Sequence, residues 1–391
     1  MVDSGMPLRD ARRPGPWPAP HSNVSLWADG HRLDLPTLAG EVTADVCVVG
    51  LGGSGLAAVH ELVRLGRRVV AVEAGVVAGG AAGRNGGFLL AGPADFHHDA
   101  VARHGRERAV RLYALTLAEL DRIAASTPEA VRRVGSIRLA TSAEEVEDCR
   151  AQLAAMRADR LPAEWYDGAL GVGLRIPTDA AFHPVARAHQ LARAALDAGA
   201  RLFARSPAVE LAGDCVETPG GRVRCDAVVV AVDGGLDVLL PELAGRVRTA
   251  RLQMLATAPT REVRIPCPVY ARWGYDYWQQ DAAGRVALGG CRDLAMDDEW
   301  THDATPTPAV QGALDRALRE RVGVREAAVT HRWAASVGYT DDGLPVLAAA
   351  RPGVWAAGGY SGTGNVVGAL CGRAAARRAL GLADEMAALL G

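Results

Sequence analysis

Residues 45–62, DVCVVGLGGSGLAAVHEL, decide the fold. Ala44 to Val49 is a short apolar run suited to a strand buried on both faces of a parallel sheet. Gly50-Leu51-Gly52-Gly53-Ser54-Gly55 follows, and then a stretch with apolar Leu56, Val59, Leu62 and Val63 at helical spacing. Gly66 stops that helix, and Arg68 to Glu73 (RVVAVE) reads as a second buried strand. Strand, glycine turn, helix and strand with an acid at its end, about 20 residues past the turn, are the context that a G-x-G-x-x-G motif needs to bind a dinucleotide. Gly50 permits the tight turn, and Gly52 lets the backbone approach a pyrophosphate at the helix N-terminus. Gly55 lets helix and strand pack closely, and Glu73 would accept hydrogen bonds from the adenosine ribose.

That motif alone does not separate NAD from FAD. The next segment, Gly79-Gly80-Ala81-Ala82-Gly83-Arg84-Asn85-Gly86-Gly87-Phe88, adds a second glycine-rich loop where a NAD protein more often turns straight into a helix. Its glycines free backbone N–H groups to wrap an anion, and Arg84 can neutralise pyrophosphate. Read without further context, a flexible surface loop with one solvated arginine fits these residues equally well.

Further along, Pro184 to Ala198 reads as a helix, and Ala200 to Phe203, Ala227 to Val232 and Val354 to Ala357 read as buried strands. A closing helix is expected near Asn365 to Leu380. Arg246 to Ala258 and Tyr270 to Leu288 alternate and are rich in aromatics, which suits an antiparallel sheet. The expected architecture is α/β: a Rossmann-like dinucleotide domain from 41–95, 170–240 and 325–391, with a mixed or antiparallel-sheet substrate domain from 96–169 and 241–324. Residues 1–40 read as an arm over the surface. A chain of 391 residues is long for one core, which also argues for two joined domains.

Composition narrows the function. Hydrophobic residues make up 49% and charged residues 23%, as in ordinary globular proteins. A net charge of −2 gives no basic field for nucleic acid or an anionic membrane, and no apolar run reaches membrane-spanning length. Arg12-Arg13 is followed by Pro14 to Pro20 where a signal peptide needs an apolar segment, so the expected location is the cytoplasm. The seven cysteines are scattered and never spaced C-x-x-C, which disfavours a disulfide framework or a zinc site. All 43 basic residues are arginine, so Schiff-base chemistry on lysine is excluded.

Beyond the fingerprint, the stretches GAAGRNGGFL (80–89), FHPVARAHQLARAALDAGA (182–200), DYWQQDAAGRVALGG (276–290) and VWAAGGYSGTGNVVGALCGRAAA (354–376) resemble the D-amino-acid-oxidase-like family of FAD-dependent oxidoreductases. Within it the gamma-glutamylputrescine oxidase branch is most similar; glycine and sarcosine oxidases are more distant. The resemblance implies a glutathione-reductase-type domain holding non-covalent FAD. Gly50, Gly52, Gly53, Ser54, Gly55, Glu73 and Ala74 would hold its ADP half. Gly83, Arg84, Asn85, Gly86 and Gly87 would run along pyrophosphate and flavin, and the Val209 backbone would meet the adenine. Gly359, Gly362, Thr363, Gly364 and Asn365 would border the flavin pyrimidine, where a helix start suits the charge of reduced flavin. There are departures. Ala82 replaces a serine, Phe88 a glutamine and Thr363 a histidine. Val366 and Val337 stand where relatives place a lysine and an arginine for substrate carboxylate, and Ser336 falls near a flavin-linking cysteine.

Phe88, Tyr277, Trp278 and His331 are the candidates to touch substrate. Strand alternation sends Tyr277 and Trp278 to opposite faces, so at most one lines a pocket. His97-His98 reads as a solvated helix start without metal partners, and no metal site is expected. The resemblance implies hydride transfer from the carbon of a small-molecule amine to flavin N5, giving an imine, with O2 or another acceptor reoxidising the flavin. Two alternatives stay open: a dehydrogenase using a non-oxygen acceptor, and a flavin-binding protein without catalysis.

Overall fold

The computed structural model describes residues 23–391. The decisive segment forms the expected unit: strand Val46–Val49, helix Gly53–Arg64 and strand Val69–Val72, all four residues of each strand being buried. These strands belong to a six-stranded sheet in the order Arg201–Phe203, Val69–Val72, Val46–Val49, Ala227–Val230, Val354–Gly358, Val346–Arg351. The neighbours run parallel except the last, which pairs antiparallel at the edge. One face packs against the fingerprint helix, the helix Pro184–Asp197 and the closing helix Val367–Ala379 in a core that includes Val48, Leu56, Val59, Ala192, Val229, Ala374 and Ala375.

Two helices approach closely because glycine lets them. A Cβ on Gly372 of the closing helix would collide with the Ser54 carbonyl, and one on Gly368 would lie 2.8 Å from Ser54 Oγ. Ser54 Oγ donates to the hydroxyl of buried Tyr360 at 2.7 Å, which ties the glycine turn to the segment leading into the closing helix.

The second layer is an eight-stranded mixed sheet, and its long strands Arg248–Thr257 and Val329–Tyr339 pair antiparallel at its edge. Val329–Tyr339 lies wholly in this sheet, as does Gly171–Ile176. The domain limits expected at 325 and 170 therefore cut off strands that pair with the other sheet; hydrogen-bond pairing, which spacing does not reveal, assigns them.

The expected surface arm is corrected for its described part; residues 1–22 lie outside the described residues. Leu26 and Trp27 are buried, and Trp27 Nε1 donates to the Asn85 carbonyl at 2.7 Å. Asn23 Oδ1 accepts from Arg84 Nη1 at 2.9 Å and from Ala334 N at 3.1 Å. Two large apolar side chains in a polar stretch were the signal that this segment packs inward. Among the described residues no helix is long and apolar enough to cross a membrane.

Candidate active site

A cavity of about 1070 Å³ runs between the two sheets. It exceeds the usual 300–1,000 Å³ of ligand pockets, so it has room for a long two-part ligand. Gly50, Gly52, Gly53, Ser54, Glu73 and Ala74 line one end. Gly50 sits at φ +101°, open to glycine and strained for other residues. A Cβ on Gly52 would meet only Ala82 Cβ, at 3.3 Å, so this backbone is bare toward the cavity. Gly55 does not face it: a Cβ there would collide with the Gly50 carbonyl, so its role is the close packing of turn and helix. Glu73 ends its strand with Oε2 accepting from Leu51 N at 2.8 Å and Oε1 from Gly75 N at 2.9 Å. The bare glycine backbone, the helix start and the acid fit the ADP half of a dinucleotide.

The loop Ala81–Phe88 continues along the cavity and is locked from beneath. Asn85 and Asn365 exchange side-chain amide hydrogen bonds at 3.1 and 3.2 Å, Asn85 Oδ1 accepts from Gly87 N, and Asn365 Nδ2 donates to the Phe88 carbonyl. The loop is thus tied to the start of the closing helix, where Gly362, Thr363, Gly364 and Asn365 line the cavity. Arg84 lines it too, but its Nε donates to the Gly79 carbonyl and its Nη1 to Asn23 and the Ala334 carbonyl. No carboxylate pairs with it among the described residues, and burial lowers its pKa. It braces the loop as well as bringing charge.

Other expected cofactor residues stand elsewhere. Gly83 and Gly87 face protein rather than cavity: a Cβ on Gly83 would strike the Ala78 carbonyl, and one on Gly87 would strike Gln279 and lie 2.7 Å from the Phe182 carbonyl. Gly359 donates its N–H to Asp233 Oδ1 at 3.0 Å and does not line the cavity. Val209 is exposed and outside the lining, and its N–H is already donated to the Glu217 carbonyl.

The aromatic end separates the substrate candidates. Phe88 and Tyr277 both line the cavity, edge to face with ring centroids 6.1 Å apart. Tyr277 packs over glycines: Cβ atoms on Gly86 or Gly289 would intrude on its ring. Burial pushes its hydroxyl pKa well up. Its strand neighbour Trp278 points the other way into the substrate-sheet core, and Gln279, back on the Tyr277 side, donates to the Gly86 and Gly87 carbonyls. His331 is a further correction. It is buried outside the lining, with Nε2 3.2 Å from Asp29 Oδ1 and Nδ1 2.9 Å from Thr330 Oγ1, so it ties the strand to the inward-packed N-terminal segment. Val337 and Ser336 line the cavity; Val366 instead packs with Ala57, Leu89 and Leu120.

Several lining residues carried no sequence signal. Asp233 is partly buried at φ +48°, and its carboxylate accepts from Gly338, Gly359 and Tyr360 N–H groups. Burial still outweighs those donors and lifts its pKa to about 6. Asp179, almost wholly buried, is lifted to about 7 by burial. Arg292 lines the cavity with its guanidinium carbon 4.6 Å from the Trp300 ring centroid and 5.0 Å from that of Tyr339. Its Nη1 is buried without a hydrogen-bond partner among the described residues. His97 begins a helix as expected but is buried, its Nε2 2.6 Å from Asp159 Oδ2. His98, Asp99 and Asp148 do gather within 4.8 Å, yet Asp148 is committed to Arg138. All seven cysteines are free thiols.

A doubly layered α/β fold with one long cavity joining a dinucleotide turn to an aromatic pocket defines a nucleotide-cofactor oxidoreductase. The chain belongs to the FAD dependent oxidoreductase family, whose sequence model matches residues 45–378. It is similar to the probable oxidoreductase OrdL of Rhizobium meliloti (strain 1021), at 27% identity over 95% of this chain and 91% of that one. It is also similar to the gamma-glutamylputrescine oxidoreductase of Escherichia coli (strain K12), at 26% identity over 89% and 86%. In fold it resembles glycine oxidase from Geobacillus kaustophilus, with a TM-score of 0.72 at 22% identity over 88% of this chain and 96% of that one. The protein is an FAD-dependent oxidoreductase, and its cofactor is FAD.

Proposed function

We propose that the protein oxidises the C–N bond of a small-molecule amine. The observation that carries this is the continuity of one cavity from the bare backbone at Gly52 to the Phe88–Tyr277 pair, which sets an aromatic pocket beside the loop Ala81–Phe88. FAD held there by the Gly50–Gly53 turn and the Ala81–Phe88 loop would supply a two-electron oxidant for the carbon bearing a neutral amine; the product would be an imine that water hydrolyses, with oxygen as the final acceptor giving hydrogen peroxide. Phe88 and Tyr277 exclude water and orient the amine. The Gly362–Asn365 turn before the closing helix lines the same cavity and would border the flavin on this reading. No cysteine among the described residues lines the cavity, which supports non-covalent binding. The test is anaerobic bleaching of the flavin spectrum by a panel of amines and amino acids, followed by peroxide assay in air; a panel that leaves the flavin oxidised overturns the reading.

The absence of lysine favours a second reading of the acceptor. A fixed point charge beside the ring speeds the first electron transfer to oxygen, and the arginines lining this cavity, Arg84, Arg187 and Arg292, spread their charge over planar forks. A dehydrogenase using a quinone or protein acceptor would follow. Stopped-flow mixing of photoreduced enzyme with oxygen and with an artificial quinone decides between them; faster reoxidation by oxygen at equal concentration returns the protein to the oxidases.

A further inference from the structure

Past Phe88 the chain runs Leu90, Ala91, Gly92, and the cavity follows it into a chamber beneath the helix His97–His104. Phe88 pairs across a short ladder with Ala181 and Leu89 with Ala180, which sets Asp179 beside the next residues of the segment. Asp179 Oδ1 accepts from Ala91 N at 2.9 Å and its Oδ2 from Ser136 Oγ at 2.6 Å. A carboxylate has about four acceptor positions, so others remain to fill.

With a neutral histidine the chamber has a second acceptor. His97 lines it and is almost wholly buried. Asp159 can only accept, so the ring N–H lies on Nε2, and in the neutral imidazole Nδ1 keeps its lone pair. That Nδ1 is buried and has no hydrogen-bond partner among the described residues. The remaining walls are aromatic: Tyr113 stands edge-on to His97 at 5.6 Å, and Phe96, Tyr270 and Trp273 complete them. Of the arginines close by, Arg138 lies 3.4 Å from the Phe96 ring centroid and is held by Asp148 and Gln152, and Arg103 is paired with Asp95 at 3.0 Å. Cavity-lining arginines come from other segments, while Asp95 and Asp99 line this wall beside Asp179.

Acceptors without donors, set among ring faces, recognise an ammonium group. We infer that this chamber seats a second, non-reacting ammonium of the substrate, which is therefore a diamine, a polyamine or a basic amino acid and not a simple monoamine. The inference rests on the proposed amine oxidation and names its substrate class. Burial holds a proton on Asp179 up to about 7, and a bound ammonium would take the place of that proton. About 10 Å of extended chain separates residue 88 from residue 91, so longer diamines should bridge the two ends better than short ones.

The test uses the flavin-loaded enzyme and anaerobic stopped-flow reduction with matched pairs: 1,7-diaminoheptane against heptylamine, and lysine against norleucine. We expect the cationic member of at least one pair to reduce the flavin with a second-order rate at least about tenfold higher, and the ratio to collapse toward unity in Asp179→Asn. Equal or faster reduction by the uncharged-tail member of both pairs overturns the inference while leaving amine oxidation standing. If no member reduces the flavin, amine oxidation itself fails, and the inference with it. The wild-type comparison decides the matter even where Asp179→Asn does not fold.

Discussion

The two ends of the cavity are made of different material. At the nucleotide end the wall is main chain: Gly50, Gly52 and Gly53 offer no side chain at all, and Glu73 is held by the N–H groups of Leu51 and Gly75. At the aromatic end, proposed to take substrate, the wall is side chain: Phe88, Tyr277, Asp179, His97 and Arg292 arrive from five separate elements or loops. A main-chain wall recognises what every dinucleotide shares and tolerates no added atoms. A side-chain wall can be rewritten one residue at a time without disturbing the strands beneath. The contrast explains how one scaffold serves many substrates with one cofactor.

The sharpest way to break the contrast is at Gly52. A valine there meets only Ala82 within the protein, so Gly52→Val should fold yet lose at least about 100-fold in FAD affinity. A normal circular dichroism spectrum from a colourless protein is the expected result; a yellow variant would show that the main chain does not approach the cofactor.

At the other end, charge rather than shape is exposed to test. Asp179 is raised from 3.8 to about 7 by burial, so its protonated form favours the fold. That stability is complete below about 3.8 and is lost as pH rises through about 7. Urea melts of the ligand-free protein should therefore move in favour of Asp179→Asn over wild type, by on the order of 3 kcal/mol between about pH 4 and about pH 8. A pH-independent difference would mean that the carboxylate is solvated.

Arg292 sharpens the comparison less dramatically. Its partnerless Nη1 offers a carboxylate site where Val337 and Val366 do not, and Arg272 is taken by Asp276 and Asp293. Arg292→Met should raise KM roughly tenfold for amino acids and leave amines nearly alone. Equal effects on both classes would place Arg292 in the scaffold.

The smallest effect separates neighbours on one strand. Trp278→Phe should lower stability by about 1–2 kcal/mol and leave turnover intact, because the ring sits in the core. Tyr277→Phe should lower turnover at nearly constant melting temperature. Interchanged outcomes would reverse the assigned faces.

Legibility followed the same division. The β-α-β unit, its turn and Glu73 could be read because their spacing is local, and the resemblance carried the reading to Asn85 and Asn365. Alternation correctly allowed only one of Tyr277 and Trp278 into a pocket, without saying which. Trp278 and His331 were misplaced because a strand's inward face is set by its partners. Asp179, Asp233 and Arg292 were invisible, since an isolated charged residue in sequence reads as surface until packing buries it.

The reciprocal amides of Asn85 and Asn365, 280 residues apart, and the bond from Asn23 to Ala334, 311 residues apart, also set a clock. The loop proposed to hold the flavin emerges early from the ribosome, but the partners that lock it come near the end of synthesis. Loop closure over such separations is slow and comes late in folding. Flavin capture is therefore a completion event: nascent chains arrested before Ala334 should retain no FAD, and a cell short of flavin would accumulate nearly finished protein rather than stalled fragments.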